Sequence, residues 1–248
     1  MNSKIYSQLL KSFIPVVLLL MTDTVQAVTL KDFKATFDVR VLGFNVGEAT
    51  QTLSCDQDDH QCNLVSEAIP PSWARRFINE ESIEKIQLSM SEEQFKLLEY
   101  KKLLTRHYDD KTEHKTYTIQ LETQPKQLRY LEGDKTWPAE PLAFDVISLA
   151  YAIQYQVLNK RPLEGFYLQD EKQQTLIELK KTFIEDDIEP DFVDDAISAL
   201  RFEFSNAKIE AKLWLVPQYG YFPGRIEILN KEKDRRIVLE INKAPKFY

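Results

Sequence analysis

Glycine is scarce in this chain: only six of its 248 residues are glycine, against an average usage of about 7%. Loops that hold a phosphate group against the backbone need glycine, and neither G-x-G-x-x-G nor G-x-x-x-x-G-K-[ST] occurs. Histidine is also rare, with three residues, none of them in a recognisable triad or zinc motif. The sequence therefore argues against a nucleotide-dependent enzyme, and we expect neither a metal nor a cofactor.

Basic residues are outnumbered by acidic ones, 32 to 39, which gives a formal net charge of −7. Without the first 27 residues, 30 basic and 38 acidic residues remain, a net charge of −8. No basic stripe interleaved with aromatic residues offsets this balance. Nucleic acids and anionic lipid surfaces attract positively charged proteins, so we expect both to be poor partners.

The first 27 residues have the parts of a secretory signal peptide. Lys4 and Lys11 precede a short apolar stretch at 13–21, and residues 25–27 end in the small-residue pattern that signal peptidase cleaves. Spanning a bilayer takes about 20 consecutive apolar residues, and no later segment reaches that length. We predict cleavage after Ala27, export to the periplasm and no transmembrane segment in the mature chain. An uncleaved membrane anchor is the alternative.

The two cysteines, Cys55 and Cys62, enclose six residues. In an oxidising compartment, two cysteines this close most simply form a disulfide. Free thiols are one alternative, and a metal site that also uses His60 and an Asp is another, but zinc sites usually separate paired cysteines by two to four residues. We therefore predict a disulfide at a hairpin tip, where the short loop limits the stabilisation to about 2–3 kcal/mol.

Alternation of apolar and polar residues predicts β-strands along most of residues 28–248, which we interpret as one β-rich domain. In residues 33–42 every second side chain is apolar, the pattern of a half-buried strand. The segments 208–216, 225–229 and 236–241 are separated by turn residues. They predict an antiparallel meander.

Two segments are harder to assign. Residues 91–104 begin with a capping-box pattern, Ser91 and Gln94, which favours a helix, whereas the residues that follow favour extended chain. Residues 185–200 are strongly acidic and then mildly helical in pattern. Because the glycine of a calcium-binding EF-hand loop is missing, we interpret residues 185–200 as a solvated acidic insertion.

The segment AFDVISLAYAIQYQVL, residues 143–158, is apolar almost all the way round. Asp145 is in position to cap a helix, and Asn159 and Pro162 end it. A helix without a polar face is usually buried, so we predict a buried helix over residues 146–158. The resulting fold class is α+β and predominantly antiparallel β, with one large curved sheet or half-barrel packed around this central helix.

Three segments, LGFNVGEATQTL, FDVISLAYAIQYQVL and KLWLVPQYGYFPGRIEI, resemble a bacterial exported family known as domain of unknown function 3108 (DUF3108). The resemblance covers about residues 30–245, apart from the cysteine pair and the acidic segment. It implies an exported β-rich fold rather than a particular activity. The residues that match the family motifs are Gly43, Gly47, Asp145, Ser148, Tyr151, Trp214, Pro223, Arg225 and Ile226.

Asp145, Ser148 and Tyr151 are the residues of the helix that invite a catalytic interpretation. A serine nucleophile needs a base, and no histidine stands in a motif with Ser148. We therefore interpret the three residues as structural: Asp145 caps the helix, Ser148 bonds locally, and Tyr151 buries its ring. Tyr151, Trp137 and Trp214 are weak candidates for ligand contact.

The function that we expect is non-catalytic binding of an apolar ligand or lipid between the helix and the sheet. One alternative is an envelope assembly factor that works through a protein partner, and a second is an envelope hydrolase with Ser148 as nucleophile. An apolar void of several hundred Å³ beside the helix would favour ligand binding.

Overall fold

The computed structural model describes residues 28–56, 58–74, 78–91 and 94–248. The predicted signal peptide and its cleavage site at Ala27 lie outside these residues. In chain order the strands are β1 (Phe33–Val41), β2 (Phe44–Asp56), β3 (Gln61–Ile69), β4 (Glu80–Met90), β5 (Phe95–His107), β6 (Thr112–Thr123), β7 (Lys126–Tyr130), β8 (Lys135–Pro138), β9 (Ala143–Phe144), β10 (Tyr167–Gln169), β11 (Gln174–Leu176), β12 (Glu178–Ile188), β13 (Ile197–Ser205), β14 (Ile209–Val216), β15 (Phe222–Asn230), β16 (Arg235–Ile241) and β17 (Lys246–Phe247).

A single α-helix, α1 (Ser148–Leu158), occurs in the described part of the chain. Within these same residues, no helix combines the length and the apolar character needed to cross a bilayer.

Fourteen strands form one sheet, in the order β12-β13-β14-β15-β16-β1-β2-β3-β4-β5-β6-β7-β8, with β17 paired to β1. Neighbours in this sheet are antiparallel throughout, from β1 with β2 to β7 with β8. Because β12 and β8 each have one neighbour, the sheet does not close into a barrel. Strands β9, β10 and β11 form a small second sheet in which β9 and β10 run parallel. The prediction of a mostly antiparallel β protein with one helix is confirmed.

Helix α1 lies against one face of the large sheet, which we call the inner face; the opposite face is the outer face. In β1 the alternating residues Phe33, Ala35 and Phe37 are fully buried. The Phe33 ring stacks on Tyr151 of α1, with 5.0 Å between the centroids. Most residues of α1 are buried, as a helix without a polar face requires. The helix begins at Ser148, two residues later than predicted.

Within the segment 91–104, residues 95–104 are extended rather than helical, because they belong to β5. The capping-box residues instead form a turn: the Ser91 hydroxyl accepts a hydrogen bond from the Gln94 backbone N–H at 3.3 Å, and the Ser91 N–H donates to the Gln94 carbonyl at 2.9 Å. The same local hydrogen bonds serve helix starts and turns, so the pattern alone did not decide between them.

The acidic segment 185–200 forms two strand ends and the connection between them, and it contains no helix, although its pattern is mildly helical. Its first residues complete β12, which ends at the buried Ile188, and its last residues begin β13 at Ile197. Ile197 and Ala199 are both buried and alternate with the exposed Ser198. This period of two is the strand pattern. So short an alternation does not distinguish a strand from a helix by sequence alone.

The C-terminal meander predicted from residues 208–241 is confirmed. Strand β14 pairs with β15, and β15 pairs with β16, all antiparallel. At one edge of the sheet, β7 and β8 form an antiparallel hairpin.

The predicted disulfide is present and joins Cys55 of β2 to Cys62 of β3. The two residues lie directly opposite each other in the register of the hairpin, with 4.0 Å between their Cα atoms. Cys62 is buried and Cys55 packs against the core.

The double substitution Cys55→Ala/Cys62→Ala should lower the free energy of unfolding by about 2 kcal/mol, because the crosslink restricts the unfolded chain over a short loop. Urea denaturation of the variant and of the wild type measures this difference. Dithiothreitol should destabilise the wild type by a similar amount and leave the variant unchanged. A variant as stable as the oxidised wild type would contradict the prediction.

Candidate ligand-binding face of the sheet

Asp145 organises the beginning of α1. One carboxylate oxygen, Oδ1, accepts hydrogen bonds from the backbone N–H groups of Ile147 at 2.9 Å and Ser148 at 3.1 Å. The Ser148 hydroxyl donates to the other oxygen, Oδ2. Burial raises the pKa of Asp145 from 3.8 to about 6, and the hydrogen bonds from Ser148 act against this rise. The pair therefore caps the helix from a buried position.

Ser148 is fully buried, and its hydroxyl bonds to a carboxylate rather than to an imidazole. His107 and His114 face threonine side chains within the β5–β6 hairpin, and His60 lies in the turn between β2 and β3. No group of three metal-ligating side chains is found among the described residues. The structure thus brings Asp145 and Ser148 together and places the histidines in other elements.

Tyr151 ties the helix to β2. Its buried hydroxyl donates a hydrogen bond to the side-chain oxygen of Gln51 at 2.5 Å, and burial raises its pKa, so the hydroxyl stays protonated as a donor. Gln51 itself is almost completely buried. The Tyr151 ring therefore packs on Phe33, and its hydroxyl bonds to Gln51. Both contacts are structural.

Gln51 is the first member of a row of polar residues on the inner face. Gln51 of β2, Ser66 of β3, Glu84 of β4 and Lys102 of β5 lie directly opposite one another across neighbouring strands. We call these four residues the polar row. Gln51, Ser66 and Glu84 are buried, so the row forms a polar layer within an otherwise apolar face.

Glu84 is the charged centre of the polar row. Its carboxylate lies 3.2 Å from the Lys102 ammonium and accepts a hydrogen bond from the Tyr100 hydroxyl at 2.8 Å. Burial, and after it the Glu84 charge, raises the pKa of Tyr100, which keeps this donor protonated. A buried carboxylate needs such partners, and the row supplies two of them.

The polar row corresponds to a pattern in the sequence, namely polar residues at positions that alternate with buried apolar ones. In strand β4, Glu84 has the same parity as Ile86 and Leu88, so period-two alternation places it on the buried face. A charged residue among alternating apolar ones marks a buried polar position. Gln51 stands in the same relation to Ala49 and Leu53 in β2.

Trp214, one of the weak ligand candidates, lies on the outer face, because it alternates with Leu213, which packs beside α1. Its ring lies between the guanidinium groups of Arg201 and Arg225, at 5.9 Å and 5.2 Å from the centroid. Its indole N–H donates to Asp186 at 3.0 Å, and this bond is the first cause of the lowered pKa of Asp186. Trp214 thus makes structural contacts on the outer face.

The remaining motif residues and Trp137 are dispersed. Trp137 lies on the edge strand β8, opposite Leu128. Gly43 lies in the β1–β2 turn at φ 87°. Gly47, at φ 142°, allows a close approach, because a Cβ there would lie 2.9 Å from the Pro71 side chain. Pro223 is buried in β15.

Three openings adjoin the inner face. The seam between α1 and strands β13–β15 is apolar apart from Lys212 and has a volume of about 30 Å³. A cleft at the C-terminal end of α1, beside Gln154 and Leu158, has about 280 Å³, and its walls include Val28–Lys31 and Phe247 near the chain ends.

The third opening, which we call the cup, has about 160 Å³ and lies on the inner face beyond the polar row. Val39 and Val41 of β1, Ala68 of β3, Leu104 of β5 and Ile237 of β16 contribute its apolar walls. The β1 residues in the cup continue the alternation of Phe33 and Phe37. Lys102 of the polar row also lines the cup, together with Ser82, Glu80 and Arg235.

No family model matches the chain, and no curated protein matches it. The resemblance to DUF3108 therefore stays a prediction.

The substitution Asp145→Asn should change how stability depends on pH. Since the folded-state pKa is raised from 3.8 to about 6, the wild type loses stability as the pH rises through this window, because the unfolded chain ionises first. The loss is about 3 kcal/mol when complete. The stability of the Asn variant relative to the wild type should therefore increase by about 2 kcal/mol between pH 4 and pH 7, because part of the loss already occurs below pH 4; urea denaturation measures this difference.

The matched control is Ser148→Ala, which keeps the carboxyl group and removes a hydrogen bond that lowers its pKa. In this variant the loss of stability should extend to higher pH than in the wild type. A relative stability of Asp145→Asn that does not change between pH 4 and pH 7 would contradict the assignment.

Proposed function

We propose that this protein is an exported, periplasmic binding protein without catalytic activity. In this proposal the sheet acts as a half-barrel, and the part of its inner face that α1 leaves uncovered binds a small apolar molecule or the end of an acyl chain. The observation that carries the proposal is the cup, with apolar walls from strands β1, β3, β5 and β16 and a volume of about 160 Å³.

Volume decides among the three openings. A cavity of about 150 Å³ in another protein binds benzene, so the cup suits one ring or a short run of methylenes and is too small for a whole lipid. The seam beside α1, at about 30 Å³, holds no more than a water-sized group. The larger cleft is built partly from the chain ends, which are usually the least firmly held parts of a domain.

The walls of the cup also support a preformed site. Most of its lining side chains stand on paired strands, which hold their positions better than loops do. Ala68 and Ser82 are small, and their size leaves the space that larger residues would fill. Lys102 also lines the cup, and its ammonium group is paired with Glu84, which accepts a hydrogen bond from Tyr100 as well.

Export is supported by the disulfide between Cys55 and Cys62, since disulfides persist in oxidising compartments. It agrees with the signal peptide predicted for residues 1–27. The periplasm is the compartment that this combination favours.

The substitution Ala68→Leu should abolish binding of decanoate, because the larger side chain fills the cup. Isothermal titration calorimetry on the delipidated mature protein measures this, and the wild type should bind with a negative heat-capacity change. Native mass spectrometry of gently purified protein tests for ligands already bound.

The matched control is Ala211→Leu, which fills the seam beside α1 instead and should leave decanoate binding unchanged. If only this control variant lost binding, the result would indicate that decanoate binds in the seam and not in the cup. A wild type that binds no decanoate and carries no co-purifying ligand would refute the proposal. Stable capture of one envelope protein under the same conditions would favour an assembly role.

A further inference from the structure

The turn between β1 and β2 has an unusual residue. Leu42 and Gly43 join the paired residues Val41 and Phe44, and both turn residues have positive φ, 50° and 87°. Two-residue hairpin turns of this kind strongly prefer Asn-Gly or Asp-Gly, because a side chain with a Cβ is strained at positive φ. Leu42 is also 64% exposed. It therefore strains the backbone and buries little in return, which indicates a role outside the fold.

Other large apolar side chains are exposed nearby at the same end of the sheet. Phe44 is 75% exposed, Trp73 55% and Ile69 49%. Ile69 is the last residue of β3, and Trp73 follows shortly after it. Pro70 and Pro71, between them, lie against the beginning of β2, because Gly47 closely approaches both prolines. We call Leu42, Phe44, Ile69 and Trp73 the apolar tip.

A basic turn lies directly beside the apolar tip. The Leu42 backbone N–H donates to the Arg236 carbonyl at 3.1 Å, which joins the β1–β2 turn to the beginning of β16. Residues 231–236, KEKDRR, are all exposed and contain four basic and two acidic residues. Lys231 also pairs with Glu210 at 3.2 Å, and Arg236 pairs with Glu227 at 3.6 Å. Asp109 and Asp110 lie at the same end, but in the β5–β6 turn, four strands away from β1.

Basic residues outnumber acidic ones within residues 231–236, whereas acidic residues outnumber basic ones in the whole chain. The net charge of −7 predicts poor binding to anionic surfaces. However, charges beyond about 8 Å are largely screened at physiological ionic strength. The electrostatic interaction of the tip with a partner therefore depends mainly on the charges at the tip itself.

We propose that the apolar tip and the basic turn dock this end of the protein on an anionic lipid bilayer. Leucine, phenylalanine and tryptophan side chains insert readily at the depth of the lipid headgroups, and basic residues contact the phosphates. A bilayer suits the shape of this end, because side chains on projecting turns enter a fluid interface without a complementary surface. A protein partner would need about 800 Å² of matched contact.

The cup opens at the same end, since Val41 and Ile69 line it. Membrane docking would therefore place the cup next to the bilayer. The inference stands on the turns alone and does not require the cup to bind a ligand.

Vesicle co-sedimentation of the mature protein tests the proposal. The wild type should bind vesicles of phosphatidylglycerol and phosphatidylethanolamine, bind phosphatidylcholine vesicles weakly, and release as salt increases. Leu42→Asn should lower the partition coefficient about tenfold, from the loss of one inserted leucine. The same variant should keep or raise the melting temperature, because Asn-Gly suits the turn. The substitution thus separates binding from folding.

Two further variants complete the test. Leu176→Asn removes a leucine of similar exposure, 48%, on β11 and should leave vesicle binding unchanged. Arg235→Gln/Arg236→Gln should reduce binding to the anionic vesicles only. The proposal is overturned if the wild type does not bind the anionic vesicles, if phosphatidylcholine binds equally well, or if Leu42→Asn binds like the wild type. A single protein partner lost in Leu42→Asn, without vesicle binding, would overturn it in favour of protein docking.

Discussion

The fold depends on covering a helix that is apolar on nearly every side. A helix with one apolar stripe can rest on a surface, but α1 must be enclosed. The large sheet covers it through β1, β5 and β15, and β9 adds contact from the small sheet. Two polar contacts fix the helix within this apolar surrounding: the Asp145 carboxylate at its beginning and the Tyr151 hydroxyl on Gln51. Such contacts select one arrangement among many that hydrophobic burial alone would allow.

Sequence patterns predicted the elements in which the position of each residue, buried or exposed, follows a regular pattern. The helix was predictable because its residues are apolar all round, and β1 and β14 because their alternation is clean. Prediction was weaker where one local pattern serves two structures, as at Ser91, or where an acidic segment conceals alternating Ile197 and Ala199. The strand order was not predictable, because no local pattern states that β1 lies between β2 and β16.

The candidate site was less predictable than the fold, for a related reason. The cup and the polar row consist of residues from strands far apart in the chain, and only the register brings Gln51, Ser66, Glu84 and Lys102 into line. The aromatic residues that attracted attention have other roles, since Trp214 stacks with arginines on the outer face. The sequence shows that residue 42 is a leucine, but only the structure shows that this leucine is exposed and has a positive φ.

The position of β1 has a consequence for the order in which the sheet can be assembled. Val41 pairs with Ile237 and Phe37 with Ile241, so the first strand of the domain finds one of its two main neighbours almost 200 residues later. In a chain that folds from its N-terminal side, that edge of β1 has no partner until β16 is present. Contacts of such long range slow folding, and an unpaired edge invites association with other chains. The edge of β1 is therefore open to association with other chains until β16 pairs with it.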